Sequence, residues 1–169
     1  MPRVVLFQPQ IPPNTGNVAR TCAATGSELH LIEPLGFEIS DSRLRRAGLD
    51  YWPWVSLRRH ADLNAFLTWQ YEAGGRLVAL SSHASTPYTS FAFAPSDWLL
   101  FGRESDGLPP FLLEEADARL TIPMAGGRGV GTGTTEGGGG VRSLNLSVAV
   151  AVVLFEALRQ QACRQPPPL

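Results

Sequence analysis

Three short stretches hold the side chains that could do chemistry. The first is Ile11-Pro12-Pro13-Asn14-Thr15-Gly16-Asn17-Val18-Ala19-Arg20, a rigid entry, a polar helix start and an arginine farther in. Backbone N–H groups at a helix start lack partners inside the helix and favour anions such as phosphate. Asn17 and Arg20 stand three residues apart and share a helix face, so they can hold one substrate group together. An N-cap followed by an ordinary surface arginine fits this stretch nearly as well. The second stretch, Phe101-Gly102-Arg103-Glu104-Ser105-Asp106-Gly107-Leu108-Pro109, closes a hydrophobic run. Its two glycines allow a backbone to approach a ligand closely, and Glu104 places an acid at the strand mouth. A plain strand-to-helix turn accounts for the glycines and proline, but less readily for the acid. The third, Arg142-Ser143-Leu144-Asn145-Leu146-Ser147, leads straight into the apolar final segment. Taken alone it is an ordinary helix start, with Ser143 or Asn145 as the cap.

Around these stretches the charge is uneven. Net charge is −1, so the molecule as a whole has no field that draws nucleic acid. Between Arg43 and Arg59, however, stand five arginines (Arg43, Arg45, Arg46, Arg58 and Arg59) against the single acid Asp50, with Tyr51, Trp52 and Trp54 interleaved. Guanidinium groups bind phosphate and rings stack on bases, so the mixture suits RNA. A solvated helix face followed by a core aromatic cluster suits it equally.

Absences narrow the chemistry. The chain has no lysine, which excludes a Walker P-loop and a Schiff-base lysine, and it contains no GxSxG, HExxH or GxGxxG pattern. Cys22 and Cys163 stand apart without metal-ligand spacing, so no metal is expected. Only four apolar residues, Val4 to Phe7, follow the N-terminus, and the longest apolar run, Val148 to Phe155, falls short of the roughly 20 residues that span a bilayer. No membrane contact is expected, and the expected location is cytoplasmic.

The elements that must position these residues follow from periodicity. Val4 to Phe7, Leu29 to Ile32, Arg76 to Leu80, Trp98 to Phe101 and Arg119 to Ile122 read as strands, with Val55 to Leu57 a weaker one. Helices are expected from near Asn14 to Gly26, from Ser40 or Asp41 to Gly48, and over Asp62 to Trp69, Pro110 to Ala116 and Leu146 to Gln161. Such alternation predicts an α/β fold with a mainly parallel sheet, in one domain, with ligands at the carboxyl ends of strands. Residues 125–141 hold nine glycines in 17 positions, a composition that predicts a mobile loop, and the proline-rich 163–169 predicts an unpacked tail. At 44% hydrophobic and 17% charged, with four Trp and eight Phe to bury, the chain also predicts self-association.

In this order and spacing, the three stretches resemble the motifs of the SPOUT superfamily of RNA methyltransferases. With HLIEP.GF, LRRAGLDY, IPM and RS.NLS added, the chain is most similar, over about residues 1 to 160 apart from the glycine-rich segment, to the bacterial tRNA 2'-O-methyltransferases of wobble position 34. The resemblance implies a domain over 1–162 ending in a deep trefoil knot, an exception to unknotted topology. It implies S-adenosyl-L-methionine bound in that knot by Leu80, Gly102, Ile122, Met124, Ser143 and Leu144. It also implies a homodimer with the active site built across two subunits, and the tRNA anticodon stem-loop as partner. The catalytic set it implies is Arg20, Asn14, Glu104 and Asn145, with Asn17, Arg43, Arg45, Arg46 and Arg142 on the RNA. Since a guanidinium is almost always charged, the role expected of Arg20 is stabilising a developing alkoxide, not taking a proton, with Glu104, Ser143 and Asn145 orienting it and the ribose. Relatives join IPM to RS.NLS by only a few residues, so the insertion between them is expected to form a flap beside the cofactor. Two alternatives stay open: a SPOUT methyltransferase for another tRNA or rRNA site, and an RNA-binding protein without catalysis.

Overall fold

Val4 to Phe7, Leu77 to Leu80 and Trp98 to Phe101 are unbroken apolar runs, the pattern of strands covered on both faces. In the computed structural model, which describes residues 1–39, 51–124 and 143–164, they form the centre of the sheet. Its strands are β1 (Arg3–Phe7), β2 (Leu29–Ile32), β3 (Leu57–His60), β4 (Leu77–Leu80), β5 (Thr86–Pro87), β6 (Trp98–Phe101) and β7 (Ala118–Thr121). They lie in the order β3-β2-β1-β6-β4-β7-β5. Every pairing is parallel, as the expected α/β class requires.

Alternation along each strand divides the core into two layers. Val4, Leu6, Leu99 and Phe101 point to the face covered by α1 (Pro12–Thr25) and the final helix, α4 (Leu146–Arg164). Val5, Phe7, Trp98 and Leu100 point to the face covered by α2 (Leu63–Ala73) and α3 (Pro110–Glu115). α4 is long and apolar enough by composition to cross a membrane, but Val150, Val153, Leu154 and Ala157 are fully buried in the first core layer.

Several boundaries differ from the sequence-based expectation for physical reasons. α1 starts at Pro12, not Asn14, because the first helical positions need no N–H and proline fits there. It ends as expected at Gly26, in the left-handed conformation with φ 68°. The strand expected at Val55 to Leu57 is β3 at Leu57–His60, preceded by a short 3-10 turn at Trp52–Trp54. There Arg58 and Arg59 hide an edge strand whose charged side chains face water. Two-residue β5 is too short to leave a pattern, and its Pro87 is tolerated at the sheet edge. α4 runs to Arg164, past its expected end and into the start of the expected tail. The helix expected from 40 or 41 to 48, the glycine-rich segment 125–141, residues 165–169 and the arginines Arg43, Arg45, Arg46 and Arg142 lie outside the described residues.

One polar pair sits inside the second layer. His30 Nδ1 and His60 Nε2 are 2.9 Å apart, Glu28 lies 3.3 Å from His30 Nε2, and Trp98 and Phe66 pack edge-on against the two rings. Glu28 accepts, so His30 carries its proton on Nε2, and its bare Nδ1 accepts from His60. Burial pushes the His30 pKa down from 6.5 to about 4, against the opposing pull of Glu28, and burial with Arg58 lowers that of His60. The unfolded chain therefore binds protons that the folded chain refuses. The contribution of His30 is fully present above about pH 6.5, falls as pH drops toward 4, and amounts to roughly 3 kcal/mol. Urea denaturation between pH 7.5 and 4.5 should show this loss in the wild type and a shallower one in His30→Leu; equal slopes would remove the histidine from the account.

Candidate active site

Parallel order puts the carboxyl ends of β1, β4, β6 and β7 on the same edge of the sheet, where their exit loops meet the start of α4. They enclose a cleft of ≈ 510 Å³, within the size range of small-molecule sites. Leu80, Gly102, Ile122, Met124, Ser143 and Leu144, all expected around a cofactor, line it together. So do Asn14, Glu104 and Asn145.

Glu104 ties three of these segments into one wall. Its carboxylate accepts from the Gln10 N–H (2.8 Å), the Ile11 N–H (3.2 Å) and Asn14 Nδ2 (3.1 Å). Asn14 Oδ1 in turn accepts from Asn145 Nδ2 at 2.8 Å, and Asn145 Oδ1 accepts from the Ser147 N–H at 2.9 Å, which caps α4. Asn145 thus serves both as the helix cap and as part of the site. The anion expected at the start of α1 is present, and it is the protein's own carboxylate. Hydrogen bonds to a charged acceptor are the stronger kind, so this wall is rigid.

Gly102 keeps the cleft floor thin. A Cβ there would collide with the backbone of Gly107 and Leu108, where Gly107 turns the loop at φ 74° and pairs with Arg103 through two backbone hydrogen bonds. The loop also carries an ion pair that the sequence pattern did not single out. Arg103 Nε donates to Asp106 Oδ1 at 2.7 Å and Arg103 Nη1 to Gln8 Oε1 at 2.8 Å. Asp106 holds the Arg103 guanidinium above its usual pKa, while that guanidinium and the Ser105 hydroxyl hold the Asp106 carboxyl below its own. An arginine and an aspartate three apart between two glycines are visible in the sequence, but they look like any surface turn. His83, just past β4, also lines the cleft and was likewise missed.

Arg20 stands apart from this wall. It is exposed on α1, does not line the cleft, and its guanidinium lies 4.8 Å from the Tyr51 ring centre with Nη2 donating to the Tyr51 hydroxyl at 3.5 Å. The expectation that Glu104, Ser143 and Asn145 orient Arg20 does not hold within one chain, because Glu104 is engaged with Asn14. Asn17 is exposed on the same helix, also outside the cleft.

A parallel α/β sheet with a cleft built from the exits of β1, β4, β6 and β7 and the start of α4 is the fold shared with solved RNA methyltransferases. The chain belongs to the SpoU rRNA Methylase family, whose model matches residues 1–129. It is 52% identical over 121 residues to the tRNA (cytidine(34)-2'-O)-methyltransferase of Beijerinckia indica, covering 72% of this chain and 76% of that one. With the protein of the same name from Burkholderia pseudomallei it shares 46% identity over 159 residues, covering 93% and 94%. A structure solved to give insight into the 2-OH methylation of C/U34 on tRNA superposes with a TM-score of 0.84 at 48% identity, covering 97% of this chain and 98% of that one. The AdoMet-bound rRNA methyltransferase of Sinorhizobium meliloti superposes with a TM-score of 0.76 at 29% identity, over 94% of this chain and 56% of that one.

Removing the carboxylate should loosen the wall before anything else. Glu104→Ala is expected to cost about 2 kcal/mol in chemical denaturation and to speed amide exchange at Gln10, Ile11, Asn14 and Thr15. Unchanged exchange there would mean that the start of α1 holds itself.

Proposed function

We propose that this protein methylates the ribose 2'-hydroxyl of the wobble nucleotide, cytidine or uridine 34, in tRNA, with S-adenosyl-L-methionine as donor. The observation that carries this reading is the convergence of Leu80, Gly102, Ile122, Met124, Ser143 and Leu144 on one cleft beside the Asn14–Glu104–Asn145 wall. The cleft fits the donor chemically. Leu80, Ile122, Met124 and Leu144 offer an apolar slot for adenine, and Gly102 lets the Gly107–Leu108 backbone pack against the strand end beside it. When bound, the donor supplies an electrophilic methyl group.

The chain's own groups supply orientation. Asn14 Nδ2 and Asn145 Nδ2 each spend one N–H inside the wall and keep a second, which can donate to a ribose oxygen held nearby. Because the wall fixes both amides in advance, little reorganisation is needed as negative charge grows on that oxygen. Arg20 stabilises the same charge as a permanent cation, and does not act as a base.

Arg20 lies outside the cleft of its own chain, so we place it at the cleft of a second copy in a homodimer. Val148 (47% exposed) and Phe155 (56% exposed) on α4 support this, as large apolar groups facing away from the core. We further take the C-terminal part of the fold to be a trefoil knot, as the family resemblance implies. The anticodon stem-loop is the tRNA element presented, and the cytoplasm the location.

Calorimetry with S-adenosyl-L-methionine, labelled methyl transfer to tRNA and mass-spectrometric mapping of the product test the whole reading; a methyl group found anywhere but the wobble ribose overturns it. Arg20→Ala should keep cofactor affinity and lose at least about 100-fold in kcat. Mixed and allowed to exchange, inactive Arg20→Ala and inactive Asn145→Ala should regain about a quarter of wild-type activity, since half the dimers then hold one complete site. No recovery, with exchange verified, would place Arg20 in its own chain's site.

A further inference from the structure

The Arg103–Asp106 pair is more heavily braced than a surface turn requires. Arg103 is held by two Asp106 oxygens, by Gln8 Oε1, and against the Phe7 ring at 5.4 Å from its centre. Asp106 also receives the Ser105 hydroxyl at 2.7 Å. Gln8 has a φ of 47°, the one non-glycine residue with a positive φ among those described, and it is the residue whose amide steadies Arg103. Backbone held in that region by a side chain that needs β-carbon room tends to cluster at ligand clamps. An exposed ion pair by itself adds little stability, so stability alone does not explain the bracing.

Both members line the cleft, and both have hydrogen-bonding capacity left over. Arg103 has five N–H donors, of which Asp106 and Gln8 take three, and a carboxylate has about four acceptor positions. The Arg103 side chain is 26% exposed and that of Asp106 57%. Among the described residues, the charged groups lining the cleft are this guanidinium and two carboxylates, Asp106 and Glu104, the latter bonded to neutral N–H donors. A phosphodiester would meet two like charges against one opposite charge. A ligand end carrying both an ammonium and a carboxylate meets a matching pair.

We infer that Arg103 and Asp106 form the subsite for the zwitterionic amino-acid end of the methyl donor, with Arg103 taking the carboxylate and Asp106 the ammonium. The inference rests on the proposed donor. It makes the pair a specificity device that separates complete adenosyl amino acids from nucleosides lacking the tail.

Two thioether nucleosides isolate that end: S-adenosylhomocysteine, which has the tail, and 5'-methylthioadenosine, which does not. Calorimetry on the full chain should show wild type preferring the first, and Arg103→Met losing at least about tenfold in affinity for it with affinity for methylthioadenosine unchanged. The near-isosteric Asp106→Asn should lose affinity in the same selective way while disturbing the loop less. Unchanged affinity for both nucleosides overturns the assignment, and if KM for tRNA rises instead, the pair belongs to the RNA backbone. Equal loss of both nucleosides also overturns it, leaving the pair a brace for the loop. Wild type binding neither nucleoside would sink the donor reading itself, a result distinct from all of these.

Discussion

The Glu104 carboxylate is the constraint on which the site depends. It stands at the exit of β6 and reaches residues 90 to 94 positions earlier in the chain, taking two backbone N–H groups and the Asn14 amide. Through Asn14 the same network reaches Asn145, so strand exit, helix α1 and helix α4 are fixed relative to one another by a few polar atoms. Apolar contacts could not do this, because they are non-directional and set separation without setting orientation. Each amide in the chain of bonds has its flip determined by its neighbours: Glu104 can only accept, so Asn14 must turn its nitrogen toward it and its oxygen toward Asn145.

The sheet makes that network possible at low cost. Because all strand pairings are parallel, every exit loop from β1, β4, β6 and β7 emerges at one edge, and of these strands β1, β4 and β6 are buried on both faces. The rigid core takes up the apolar side chains, and the polar ones collect at the strand ends. Arg20 is the exception. It stands on an exposed helix face, steadied by Tyr51.

Much of this was legible in the sequence. Unbroken apolar runs marked β1 and β6 to within a residue, since a strand covered on both faces leaves no polar alternation to confuse the pattern. Edge strands were less legible: β3 carries Arg58 and Arg59 and β5 has two residues, so neither shows a run. Every residue that the family resemblance implies around the cofactor lines the cleft. What sequence could not supply was pairing. Nothing in the spacing says that Glu104 partners Asn14 and not Arg20, or that Gln8 steadies Arg103, because those contacts depend on how far-apart segments come together.

Charge then divides the labour between cleft and surface. Among the described residues the cleft is lined by one guanidinium and two carboxylates, with no surplus of positive charge, and the chain as a whole carries −1. Exposed positive charge sits on arginines placed elsewhere. On the described surface these include Arg20 beside Tyr51 and Arg58 stacked 3.8 Å from the Trp69 ring centre, while Arg59 is already committed to Glu33 at 2.9 Å. Guanidinium groups resting on aromatic rings keep their charge while losing little freedom on binding, which suits contact with phosphate and with unstacked bases alike. Docking of the nucleic acid and binding of a small cationic donor thus draw on different fields of the same molecule, and neither field has to weaken for the other to act.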